Sequence, residues 1–125
     1  MDTRMDTRSK IVTAAAIPPG CTLVTGAFDP LLAEDARELA HIRAAAPLRP
    51  LVVLVLPLPS ELLPLPARAE LVAALRMVDY VITAHESSLS DLLDGLHPAL
   101  VVRLEAAHAA RKRQLMEHVH RRQSI

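Results

Sequence analysis

Hydrophobic and polar positions along the chain fall into alternating blocks. Four short runs are almost continuously apolar: CTLVT (21–25), LVVLVL (51–56), DYVITA (79–84) and ALVVRL (99–104). Each is five or six residues long, rich in Val, Leu and Ile, and bounded by Gly or Pro or by polar stretches, which predicts strands buried on both faces. The blocks between them follow a helical period. LLAEDARELAHIRAAA (31–46) places Leu32, Ala36, Leu39 and Ile42 at helical spacing, and ARAELVAALRMV (67–78) predicts a second helix. SSLSDLLDGLHP (87–98) reads as a short Ser-capped helix stopped by Gly95 and Pro98. EAAHAARKRQLMEHVHRRQ (105–123) reads as a long terminal helix, and PLPSELLPLP (57–66), with four prolines, as a loop with at most one short turn.

Strand, helix, strand in this order predicts an α/β fold with three layers: a doubly wound parallel sheet, Rossmann-like, with right-handed crossovers. Ligands in such sheets bind beyond the carboxyl ends of the strands, at the switch point, so the turn from Gly26 to Pro30 is the first candidate site. One domain is expected over 20–125. Residues 1–19 form an N-terminal extension: MDTRMDTR is a tandem repeat, read as an alternative start, a duplication or an expression scar and expected to be disordered, whereas IVTAAAIPP (11–19) is apolar enough to pack.

Composition narrows the function classes. The chain has 125 residues, 51% hydrophobic and 22% charged, with 2% aromatic, so Leu, Val, Ile and Ala must build the core. Fourteen basic residues against 14 acidic give a formal net charge of +0, which offers no bulk attraction to nucleic acid or anionic membrane. Cys21 is the lone cysteine, which removes internal disulfides and zinc knuckles and favours a reducing, cytoplasmic setting. No apolar run approaches the roughly 20 residues of a membrane span.

The string TGAFDPLL…AREL (25–39), together with RAELVAALRMVDYVI (68–82) and ESSLSDLLDGLHPALVV (86–102), resembles the cytidylyltransferase-like nucleotidyltransferases. The heptose adenylyltransferase and glycerol phosphate cytidylyltransferase types are the most similar. The family signature is GxFDxxHxGHxxxL; Gly26, Phe28, Asp29 and Leu39 match it. The resemblance implies the nucleotidyltransferase fold and places nucleotide-facing positions at Thr25, Gly26, Phe28, Asp29, Leu32, Asp35, Arg68 and Arg103. His85, just after a strand at the ligand edge, joins this set. For an active member it implies Mg²⁺ with CTP or ATP, and transfer of CMP or AMP to a phosphorylated sugar or polyol with release of pyrophosphate.

The HxGH positions carry Leu32, Ala33, Glu34 and Asp35, so both histidines and the glycine are missing. Leu32 offers no hydrogen bond, and Asp35 places an anion beside the expected phosphates; two like charges about 4 Å apart cost roughly 4 kcal/mol at a surface-like dielectric. VVRLEAAH (101–108) stands where many relatives have a Lys-Gly-Gly-Asp motif, and Arg103 is the cation left there. No residue is therefore assigned as catalytic. The expectation is an impaired homologue, a pseudoenzyme retained as a nucleotide-binding, regulatory or assembly module, with an active transferase as the alternative.

Plain structural readings stand beside these. Glu34 and Asp35 suit the first turn of any helix, Asp29 suits an Asx turn, and Asp79 and Tyr80 suit a strand entrance. An acidic cluster of Asp29, Glu34 and Asp35 around a divalent cation is the sharper alternative, although no metal ligand is assigned. His41, His85, His97, His108, His118 and His120 show no metal spacing. Arg111, Lys112, Arg113, Arg121 and Arg122 are expected on a solvated face of the terminal helix, packed through Leu104, Ala107, Leu115 and Val119, in part against a second copy of the chain. Expected partners are thus a nucleotide or phosphorylated small molecule and a homodimer mate, with neither membrane nor nucleic acid, since no aromatic residues are placed to stack on bases.

Overall fold

The computed structural model describes residues 6–84 and 89–123, without the side chain of Leu89. Four strands, β1 (Thr22–Gly26), β2 (Leu51–Val55), β3 (Tyr80–Thr83) and β4 (Leu100–Arg103), form one parallel sheet in the order β3-β2-β1-β4. The helices are α1 (Ala33–Ala45), α2 (Leu65–Ala73), α3 (Leu89–Leu96) and α4 (Glu105–Gln123). The chain winds outward from β1 to β3, then crosses back to place β4 on the other side of β1. The switch point therefore lies between β1 and β4.

Alternation along the strands divides the core in two. Val24, Leu51, Val53, Val55 and Val81 pack against Leu39 of α1 and Leu65, Ala69, Val72 and Ala73 of α2. Leu23, Val52, Leu54 and Ile82 face the opposite layer, where Leu96 of α3 and Ile17 close them off. Every residue of β1 and β2 is buried, as predicted for strands covered on both faces, whereas β4 is an edge strand with Leu100 and Val101 exposed. The three-layer, doubly wound parallel arrangement is the one expected.

The helix boundaries differ from expectation for identifiable reasons. α2 begins two residues early because Pro66 falls in its first turn, where the missing N–H costs nothing. α3 runs through Gly95 to bury Leu96 and ends on His97, which takes the left-handed conformation with φ 48°. Its proposed serine cap and His85 lie outside the described residues. The segment from Asp6 to Ile17 packs onto the edge of β3: Ile11 bridges Val81, and the N–H of Val12 donates to the Val81 carbonyl at 2.9 Å. The five residues that open the MDTR repeat lie outside the described range.

Candidate functional site

A cavity of about 390 Å³ opens at the carboxyl end of β1, beside the switch point. Its floor is Ala27, its apolar walls are Pro30, Leu32 and the 56–59 loop, and its roof is the first turns of α4. α4 begins directly after β4, so His108, Arg111 and Lys112, at i, i+3 and i+4, project from one helix face over the end of β1.

His108 is the centre of the arrangement. It is 6% exposed and packs edge-on against Phe28, with ring centroids 4.4 Å apart. Its Nδ1 accepts from the backbone N–H groups of Ala27 at 3.1 Å and Phe28 at 3.3 Å. Phe28, with φ 50°, holds the turn that brings both donors to one acceptor, a backbone conformation that costs a non-glycine residue about 1–2 kcal/mol. Gly26 makes room for the ring: a Cβ there would lie 2.5 Å from Cε1 and 2.6 Å from Nδ1. Since Nδ1 is the acceptor, the proton of the neutral imidazole sits on Nε2. That Nε2–H is buried without a hydrogen-bond partner, 3.4 Å from Oδ1 of Asp35. Burial lowers the His108 pKa, the Asp35 charge opposes this, and Arg111 reinforces it. The ring is accordingly neutral at pH 7.

The charged residues around the cavity are paired with each other. Asp35 caps α1, its Oδ2 accepting from the Leu32 N–H at 2.8 Å, while its Oδ1 bonds Arg111. Arg111 also holds Glu38 at 3.2 Å and reaches exposed Glu34 at 3.4 Å. Asp29 does not make the local Asx turn: its carboxylate faces the 57–64 loop, accepting from the N–H groups of Leu62 at 2.7 Å and Leu63 at 2.8 Å, and from Lys112 at 2.8 Å. Burial disfavours the charged Asp29, but Lys112 and these two N–H groups outweigh it and lower its pKa. The Thr25 hydroxyl bonds the Glu105 carboxylate. Arg68 is fully buried and spends its guanidinium on the protein itself: Leu63, Ala27 and Leu56 carbonyls at 3.0, 2.8 and 2.8 Å, and Glu61 at 2.8 Å.

The expected positions therefore separate. Asp29, Leu32 and Asp35 line the cavity, with Thr25, Gly26 and Phe28 packed immediately behind it. Arg68 props the loop from below the surface and Arg103 is exposed on β4, so neither lines the cavity; His85 lies outside the described residues. The acidic trio splits, because Asp29 and Asp35 take different cations and Glu34 turns to solvent. Asp35, Glu38 and His108 do bring ligand atoms within 4.8 Å of one another, but Arg111 bridges the two carboxylates and the Nε2 proton leaves no lone pair for a cation. Asp79 secures the strand entrance as expected, accepting from the Leu51 N–H and from Arg43.

Three site residues escape the sequence pattern. Arg111 and Lys112 are ion-paired at the cavity instead of solvated, and His108, not Leu115 or Val119, is the buried contact of α4. Val119 stays 42% exposed because only the first turns of α4 reach the sheet. The available signal is the spacing His108–Arg111–Lys112 in the turns directly following the last strand.

Comparison with protein-family models finds no match, and none is found among curated proteins. Among solved structures the fold matches the lipopolysaccharide core biosynthesis protein from Thermoplasma volcanium GSS1, with a TM-score of 0.58 and 21% identity over 66% of this chain and 71% of the other. At that identity the likeness establishes the α/β fold. No helix among the described residues is long and apolar enough to cross a membrane.

Proposed function

We propose that the chain is a nucleotidyltransferase-like domain that binds a nucleotide, or part of one, in the switch-point cavity and does not transfer it. The observation that carries this reading is the ion pairing at the phosphate-facing edge: Asp35 takes the α1 N-terminal donor and Arg111, and Asp29 takes Lys112. Nucleotidyl transfer needs such donors free to stabilise charge as pyrophosphate leaves. What remains is a preformed cavity of a size suited to a small organic ligand. A regulatory or assembly role, with the ligand as its signal, follows from binding without turnover. In an active transferase of this kind, Mg²⁺ would neutralise phosphate charge.

The test is calorimetry with CTP and ATP with and without Mg²⁺, alongside a pyrophosphate-release assay on sugar phosphates and polyol phosphates. Binding of a nucleotide or nucleoside without pyrophosphate release is the expected result. Sustained release of pyrophosphate overturns the non-transferring assignment.

A further inference from the structure

We infer that the cavity selects an uncharged, nucleoside-like molecule in preference to a nucleoside triphosphate. The inference rests on the reading of the cavity as a nucleotide-type site and deepens it by assigning the ligand's charge class.

The first support is the lining itself. Pro30, Leu32, Leu56, Pro57, Leu58 and Pro59 present a continuous apolar wall suited to the face of a heterocycle. The second is charge. The lining holds three carboxylates, Asp29, Asp35 and Glu105, against two cations, Arg111 and Lys112, with His108 neutral, and Glu34 and Glu38 crowd Arg111 from outside. A polyphosphate entering this excess of negative charge is repelled. It can recruit Arg111 or Lys112 only by taking them from Asp35 (2% exposed) or Asp29 (4% exposed), leaving a buried carboxylate without its cation.

The full chain is titrated calorimetrically with adenosine, cytidine, guanosine and uridine and with the four matching triphosphates, at fixed ionic strength and without Mg²⁺. At least one nucleoside is expected to bind about tenfold or more tightly than its triphosphate, the factor set by one uncompensated like charge about 10 Å away at a surface-like dielectric. Triphosphates binding as tightly as nucleosides, or more so, overturn the inference and leave the nucleotide-site reading standing. If no compound of either series binds, both fall. Glu105→Gln removes one lining carboxylate while keeping an acceptor for Thr25. It is expected to tighten triphosphate binding several-fold more than nucleoside binding; an equal change for both series refutes the charge argument.

Discussion

Gly26→Ala tests the geometry on which the site depends. Gly26 does not have the positive φ that would penalise a side chain, so its backbone accepts alanine and the whole cost is steric. The new Cβ would lie 2.5–2.6 Å from the imidazole of His108, whereas non-bonded carbons settle at about 3.5–4.0 Å. The ring must therefore retreat by roughly 1 Å, which breaks the bonds of 3.1 and 3.3 Å from the Ala27 and Phe28 N–H groups. Leaving a buried donor unsatisfied costs about 1–3 kcal/mol, so a loss of about 2–4 kcal/mol is expected once part of the strain relaxes. Urea denaturation followed by circular dichroism measures it. The decisive comparison is a double-mutant cycle with His108→Ala. Without the ring only the 3.0 Å approach to Cε2 of Phe28 remains, and Gly26→Ala is expected to fall within about 1 kcal/mol of neutral. A loss of equal size in both backgrounds refutes the reasoning, because the cost would then have nothing to do with His108.

Arg68→Met is expected to cost about 3–5 kcal/mol in the same denaturation assay, since it strands three carbonyls and the Glu61 carboxylate while keeping most of the side-chain volume. Because the folded His108 pKa lies below its ordinary value of 6.5, the unfolded state binds more protons, so stability is present above that value and falls as pH drops below it. Denaturation midpoints between pH 5 and 7.5 are expected to show this slope, and His108→Gln to flatten it. Asp29→Ala is expected to destabilise by about 2–3 kcal/mol and to raise hydrogen exchange at the Leu62 and Leu63 amides, whose acceptor it removes.

The strands and helices are legible in the sequence because their signals are local. LVVLVL is apolar between two prolines, and Leu32, Ala36, Leu39 and Ile42 recur on one helical face, whatever the rest of the chain does. Half the site is legible for a related reason: a strand, a glycine and an aspartate mark the turn at Gly26 to Asp29 before any partner is known. The other half is not. His108, Arg111 and Lys112 look like any polar stretch of a basic helix until the crossing of β4 to the far side of β1 carries them over that turn. Asp35 shows the same limit from the other side. Its helix-capping role is visible in the sequence, but the arginine that neutralises it is 76 residues away, so the charge conflict expected with a phosphate takes a different form, competition for Arg111.

The order of synthesis adds a consequence of the β3-β2-β1-β4 arrangement. The acceptor of the Ala27 N–H is 81 residues downstream, on the last helix. At the usual 5–20 residues per second on the ribosome, the Gly26–Asp29 turn waits roughly 4–16 s for the histidine that completes it. During that interval β1 has β2, with β3 beyond it, on one side but an open edge on the other, where β4 will pair. The switch-point cavity is thus the last part of the domain to close, after the rest of the sheet is built.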